Sequence, residues 1–230
     1  VRFDAVLFDL DGTLLDTLDD IADASNAVLL RHGFPAHPVS RYRYFVGEGA
    51  MNLIIRTLPE SARTEDTVRR LYEEFRAEYA KNWNAKTRPY RGVPELLDAL
   101  VERSVKIAVL SNKPDDFTQK CVGELLGAWA FNAVLGHRDG VPAKPDPNGA
   151  IDLAKTLSVS PARILYLGDS SIDMETALAA GMFPVGALWG FRTREELETS
   201  GACAVIGKPQ DLLALLNDAP FGAQAGENET

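Results

Sequence analysis

Four short segments of the 230-residue chain hold side chains that could do chemistry together. The first is Phe8-Asp9-Leu10-Asp11-Gly12-Thr13-Leu14-Leu15-Asp16, where two carboxylates two residues apart close the apolar run Val6-Leu7-Phe8. At a strand end this spacing lets Asp9 and Asp11 project toward the same side, and Gly12 permits the tight turn that follows. In the second, Ser111, Asn112 and Lys113 follow an apolar run and offer a hydroxyl and backbone amides to a phosphate. In the third, Lys144 stands between Pro142 and Pro145, in a segment expected to be extended ahead of a helix. The fourth, Gly168-Asp169-Ser170-Ser171-Ile172-Asp173, places two more carboxylates about a helix start. There Ser170 or Ser171 could also cap the first turn, and Asp173 could simply favour the helix dipole.

Two like charges about 4 Å apart repel by about 4 kcal/mol at an effective dielectric of ~20. Asp9, Asp11, Asp169 and Asp173 can therefore converge beside an anionic substrate only in the company of cations. A divalent ion with Lys144 meets that need. An all-oxygen ligand set in a site that also takes phosphate points to Mg2+ over zinc or copper.

The elements that must position these groups follow from the apolar pattern. Short buried runs recur at Ile107 to Leu110, Ala133 to Leu135, Ile164 to Leu167, Pro184 to Leu188 and Ala204 to Ile206, and read as strands covered on both faces. Amphipathic stretches alternate with them at about 94–103, 115–126, 147–157, 172–181 and 209–217, with Pro94, Pro147 and Pro209 near their starts. The fold class expected is α/β, a doubly wound parallel sheet with helices on both sides. Ligands bind such sheets beyond the carboxyl ends of the strands, where all four segments fall. Residues 17–90 break the alternation: Leu18, Ile21, Ala22, Val28 and Leu29 form one helical stripe and Val68, Leu71, Tyr72, Phe75 and Tyr79 another, with Gly33 and Pro35 closing the first helix and Thr64 placed to cap the later one. The organisation expected is a core of residues 1–16 and 91–220, an inserted helical domain over 17–90, and a mobile tail over 221–230.

Motifs and order together resemble the haloacid dehalogenase superfamily of phosphotransferases, from the DxDGTLxD segment through Ser111 and Lys144 to GDxxxD, with the helical insertion where that family carries its cap. The resemblance implies that Asp9 is the nucleophile that forms an aspartyl phosphate. It makes Asp11 the group that protonates the leaving alkoxide and then deprotonates the attacking water. Ser111, Asn112 and Lys144 would hold the transferring phosphoryl group, supported by Thr13. Mg2+ would be bound by Asp9, Asp169 and the backbone carbonyl of Asp11, with Asp173 in direct contact or one layer out. An Asp at position 11 favours phosphoryl transfer, because dehalogenases in the family need no leaving-group acid and lack it.

Within the phosphatases, Pro89 to Val93, Leu110 to Pro114, Gly168 to Ala177 and Trp189 to Arg192 look like the phosphoglycolate phosphatase branch. Val46-Gly47-Glu48-Gly49-Ala50 falls where relatives carry a specificity loop, which makes Gly47, Glu48 and Arg56 candidates for substrate recognition, although the glycines also suit a plain turn between helices. The reading is a Mg2+-dependent phosphatase for a small phosphomonoester, 2-phosphoglycolate first. Alternatives are a β-phosphoglucomutase-like isomerase, a phosphatase for pyrophosphate, nucleotides or sugar phosphates, and a non-catalytic phosphate-binding regulator.

Composition excludes other classes. With 24 Lys plus Arg against 33 Asp plus Glu, the formal charge is −9, which argues against tracking a nucleic-acid backbone or an anionic membrane. The acidity is uneven: residues 17–90 hold 11 basic and 10 acidic side chains, so the excess belongs to the core. Cys121 and Cys203 fit no disulfide framework or zinc spacing, and read as buried hydrophobes in helical and strand contexts. His32, His37 and His137 lie outside the four segments and read as surface or packing residues. No apolar run reaches the ~18 residues of a membrane span. The expectation is a cytoplasmic monomer or homodimer whose partner is a small phosphorylated metabolite.

Overall fold

A computed structural model describes residues 3–216. The tail expected over 221–230, and residues 217–220 at the end of the expected core, lie outside them. In chain order the elements begin with β1 (Ala5–Phe8) and β2 (Leu15–Asp16). The helices α1 (Leu18–Arg31), α2 (Val39–Phe45), α3 (Ala50–Thr57) and α4 (Glu65–Asn82) follow, then β3 (Arg88–Pro89). The rest alternates: α5 (Val93–Glu102), β4 (Lys106–Pro114), α6 (Asp115–Leu125), β5 (Ala133–His137), α7 (Asn148–Leu157), β6 (Ile164–Gly168), α8 (Ser171–Ala179), β7 (Phe183–Ala187), α9 (Arg194–Thr199), β8 (Ala204–Ile206) and α10 (Leu212–Leu215).

Six strands form one parallel sheet in the order β5-β4-β1-β6-β7-β8. The central strand β1 is buried along its whole length, whereas the edge strands β5 and β8 are half-buried. Side chains alternate across the sheet as strand geometry requires. Val6 and Phe8 join the apolar cluster on one face, and Ala5 and Leu7 join a second cluster with Leu153 and Leu157 of α7 on the other. Strand order reverses on either side of β1, since the chain passes to β4 and β5 and then crosses back to β6. This is the switch point at which open α/β sheets leave a crevice beyond their carboxyl ends.

Helices α1 to α4 fill the insertion. The two expected stripes face each other: Ile21, Val28 and Leu29 of α1 and Leu71, Phe75 and Tyr79 of α4 are buried in one cluster continuous with the core. Tyr72 lies at its edge, half-buried. Thr64 caps α4 by accepting the Thr67 N–H at 3.3 Å. The two-stranded ladder of β2 and β3 joins the ends of the insertion, so a strand pair occurs at its base where only helices were expected. Two residues per strand leave no periodicity to read. The carboxylate of Asp20 on α1 takes the N–H groups of Lys86 and Thr87 and the Thr87 hydroxyl, fixing the return to the core.

Candidate active site

The register of β1 decides where the first motif ends. Phe8 pairs with Val109 of β4 and Leu167 of β6, and the Asp9 N–H continues the ladder to the Leu167 carbonyl at 2.9 Å. Asp9 and Asp169 thereby leave the ends of two neighbouring strands on one edge of the sheet, with Ser111 beside them on β4. Asp9, Asp169 and Asp173 are all buried, and each offers an oxygen within 4.8 Å of the other two. Gly12 and Gly168 make room for them. Gly12 has φ +89°, and a Cβ there would lie 2.8 Å from the Asp169 carboxyl carbon; a Cβ at Gly168 would lie 2.6 Å from an Asp173 oxygen.

Each carboxylate is held from behind. Asp169 accepts the Thr13 hydroxyl at 3.3 Å and the Phe191 N–H at 2.7 Å. Asp173 accepts the Ser170 N–H at 3.1 Å and hydroxyl at 2.6 Å, in a capping box that opens α8. The same Asp173 receives the Lys144 ammonium at 2.7 Å, and Lys144 also reaches Asp9 at 2.8 Å and the Leu110 carbonyl at 3.1 Å. Capping and charge pairing are thus combined in Asp173. Lys144 sits in a turn that begins at the residue itself, with a cis peptide to Pro145, instead of the expected extended segment. That turn is pinned by Asn112, whose side-chain amide accepts the Lys144 N–H at 2.8 Å and donates to its carbonyl at 3.0 Å.

The electrostatics suit a cation. Three buried carboxylates face one ammonium. Burial, followed by the Asp173 charge, pushes Asp9 up to about 7 despite the opposing Lys144. Burial and the charges of Asp9 and Asp173 hold Asp169 well above the carboxylate range against the Phe191 N–H. Burial opposes the charge on Lys144, but the two carboxylates more than offset it and raise its proton affinity. An excess of buried negative charge on hard oxygen donors fits a divalent cation of the Mg2+ type.

Asp11 is turned elsewhere. Its carboxylate oxygens lie 3.0 and 3.3 Å from the Lys113 ammonium and stand outside the cluster of three. Lys113 also donates to the Tyr79 hydroxyl of α4 at 2.9 Å. Burial opposes the Lys113 charge, yet Asp11 holds its proton affinity well above the ordinary range. A cavity of about 700 Å³, counting its mouth, spans this region between the sheet edge and helices α1, α3 and α4. Asp9, Asp11, Asp169, Ser111, Asn112 and Lys113 line its floor, while Ile21, Leu53, Phe75, Arg76 and Tyr79 form its roof.

The expected substrate residues separate into two groups. Ser111, Asn112 and Gly47 reach the cavity. The Asn112 amide is already committed there, to the Lys144 backbone and, at 3.0 Å, to the Gly47 carbonyl. Thr13 is fully buried behind Asp169. Glu48 and Arg56 form an ion pair with each other and do not line the cavity. Lys113, Tyr79 and Arg76 also line the cavity, although the sequence assigns no substrate contact to their side chains. The available signal was parity, since Lys113 follows Ser111 by two along one strand. Tyr79 belongs to the α4 stripe, which reads from sequence as ordinary core, and Arg76 lies one turn before it. Trp189 to Arg192 braces the site from the far side: Trp189 donates to the Thr13 carbonyl at 2.9 Å, and Arg192 reaches the Val46 carbonyl at 3.3 Å. His32 and His37 are structural, bound to Glu74 and the Thr57 carbonyl, both at 2.8 Å. Cys121 is buried in α6, and Cys203 is half-buried just before β8.

Comparison with known proteins agrees with this geometry. A match to the haloacid dehalogenase-like hydrolases covers residues 6–187. The chain is 32% identical over 221 residues to an N-acetylmuramic acid 6-phosphate phosphatase of Pseudomonas aeruginosa, covering 95% of this chain and 97% of that protein. It is 30% identical to a phosphoglycolate phosphatase of Aquifex aeolicus, covering 93% and 96%. The crystal structure of a candidate phosphoglycolate phosphatase from Lactobacillus delbrueckii superposes with a TM-score of 0.89 at 31% identity, over 95% of this chain and all of the other. No helix among the described residues is long and apolar enough to cross a membrane. Sheet order, carboxylate cluster and these similarities agree that the chain belongs to the haloacid dehalogenase-like hydrolase family, on its phosphatase side.

Proposed function

We propose that the chain is a Mg2+-dependent phosphatase of small phosphomonoesters, with 2-phosphoglycolate as its first candidate substrate and residues 17–90 as its cap. The observation that carries this reading is the division of the acidic groups: Asp9, Asp169 and Asp173 cluster about Lys144, while Asp11 stands apart on the cavity side. Asp9, Asp169 and Asp173, with the backbone carbonyl of Asp11, are the groups that would hold the cation. Once bound, it supplies positive charge against the phosphoryl oxygens.

In the first step an Asp9 carboxylate oxygen attacks phosphorus and forms an O–P bond. The bond to the leaving oxygen breaks, its electron pair stays on that oxygen, and Asp11 delivers a proton to it. In the second step Asp11, now a carboxylate, takes a proton from the water that attacks phosphorus, and the Asp9 O–P bond breaks with its electron pair returning to the Asp9 carboxylate. Lys144 would offset charge on the phosphoryl group, and Ser111, which lines the cavity, would donate its hydroxyl to it. The cap roofs the cavity and must open for product to leave.

Two relatives bear on the substrate. Phosphoglycolate and N-acetylmuramic acid 6-phosphate, which their names give, differ in size but share a carboxylate besides the phosphate. Similarity to the N-acetylmuramic acid 6-phosphate phosphatase, at 32% identity over 221 residues, makes the sugar acid phosphate a second reading. A phosphate-release screen decides: phosphoglycolate, N-acetylmuramic acid 6-phosphate, hexose phosphates, nucleoside monophosphates and pyrophosphate are ranked by kcat/KM. Conversion of a hexose 1-phosphate to its 6-phosphate without phosphate release would replace the phosphatase with a mutase.

A further inference from the structure

Lys113 and Arg76 are the cations lining the cavity that the mechanism above leaves unused, and Lys113 is the buried one. Its side chain is 5% exposed and lines the cavity that Asp9 floors. Two partners fix its ammonium: Asp11, with oxygens at 3.0 and 3.3 Å, and the Tyr79 hydroxyl at 2.9 Å. Tyr79 is itself wedged, stacked on Phe75 at 5.6 Å and edge-on to Phe117 at 5.1 Å. An ammonium has three N–H donors. The two Asp11 oxygens and the Tyr79 hydroxyl accept from it, and the longer Asp11 contact, at 3.3 Å, is the one that a substrate anion would displace.

The other polar groups at this end of the cavity have partners of their own, and the Arg76 side chain is 34% exposed. Arg76 holds Asp116 at 2.6 Å and the Tyr72 hydroxyl at 3.3 Å. The Asn112 amide binds the Lys144 backbone and the Gly47 carbonyl, and the Ser111 hydroxyl accepts the Lys113 N–H at 3.2 Å. The phosphoryl end of a substrate belongs at Asp9, and its remainder faces a mostly apolar roof in which Lys113 is the buried charge. An anionic group there gains a charge-assisted hydrogen bond in a dry setting. A neutral hydroxyl gains less.

We propose that Lys113 determines specificity by binding a carboxylate on the substrate, so that the enzyme selects phosphomonoesters of hydroxy acids over neutral phosphomonoesters. Asp11 and Tyr79 aim its ammonium, the one from the end of β1 and the other from the cap. The inference rests on the phosphatase reading, which fixes which end of the substrate lies at Asp9.

The test compares 2-phosphoglycolate with 2-hydroxyethyl phosphate, which keeps the two-carbon skeleton and lacks the carboxylate. The quantity read is the ratio of their kcat/KM values. Lys113→Met is expected to lower that ratio about 10- to 100-fold, the worth of one charge-assisted hydrogen bond, chiefly through KM for phosphoglycolate. Both rates also fall together because Asp11 loses its partner, and the ratio removes that common loss. It is likewise independent of how much of a preparation is folded. Lys113→Arg is expected to restore part of the preference, and Tyr79→Phe to lower it by a smaller factor. An unchanged ratio in Lys113→Met overturns the proposal and leaves Lys113 as a partner of Asp11 alone. Failure of the wild type to release phosphate from any ester would instead refute the phosphatase reading. In that event calorimetric binding of the same two compounds to the wild type and Lys113→Met reads the carboxylate preference without turnover.

Discussion

On the core side of the cavity, charged groups sit at strand ends or in the first turn of α8 and are held by bonds inside the core: Asp9 by Lys144, Asp169 by Thr13 and Phe191, Asp173 by Ser170. The cap side is built differently. Its lining is mainly Ile21, Leu53, Phe75 and Tyr79, and it meets the core through a few polar links, at Gly47, at Tyr79 and between Arg76 and Asp116. The contrast teaches that chemistry and selection have separate supports. Core carboxylates cannot shift without breaking a ladder or a helix cap, whereas apolar roof residues can be exchanged at the cost of packing alone. It also separates the two buried lysines. Lys144 balances charge within the core, and Lys113 ties core to cap.

The contrast breaks most sharply at Asp9. Asp9→Asn is expected to lower phosphate release by roughly 10⁴-fold or more, because an amide cannot attack phosphorus. Thermal stability should hold or rise, since one of three crowded carboxylates is neutralised. A Tm measurement beside the activity assay checks both signs, and an active Asp9→Asn protein would remove the mechanism.

Chelation is the next largest effect. EDTA should abolish turnover and Mg2+ restore it. The same cluster predicts a pH signature without metal. Asp9 has a pKa of about 7 when folded against 3.8 ordinarily, so between these values the folded protein holds a proton that the unfolded chain has lost. This contribution to stability is full below about pH 4 and is lost as pH rises through about 7. Under EDTA, the Tm of wild type minus that of Asp9→Asn should fall by on the order of a few °C across this window. With Mg2+ present the slope should flatten.

Lys144→Met sharpens the comparison between the two lysines. It leaves Asp9 and Asp173 buried without their cation, a loss of about 3–5 kcal/mol when one partner of a buried pair is removed. Denaturant unfolding in EDTA measures it. The smallest effect is expected in the cap: Glu48→Ala breaks an ion pair with Arg56 in which both side chains are partly exposed, so stability should change by at most about 1 kcal/mol. A rise of tenfold or more in KM for that variant would show that Glu48 reaches substrate when the cap closes.

Much of this was legible in the sequence. The six apolar runs became the parallel sheet, the inner strands because those covered on both faces must be apolar throughout, and the α1 and α4 stripes became the interior of the insertion because helical periodicity fixes the buried face. What escaped was set by contacts between distant segments. Two residues at 88–89 carry no strand signal until Leu15 and Asp16 lie beside them. Asn112 reads as a ligand for phosphate until the Lys144 turn folds onto its amide. Glu48 and Arg56 read as candidates for substrate recognition until the fold pairs them with each other.

By itself, the sequence determined which residues carry charge at the ends of which strands, since the motif spacing and the apolar runs are local facts. Tertiary structure alone decided how those charges are shared. The crossing from β5 back to β6 puts Asp169 and Asp173 beside Asp9, and the return of α4 over the sheet edge sets Tyr79 against Lys113. Pairing depends on separations of a few ångströms between residues far apart in the chain, and only packing fixes such distances.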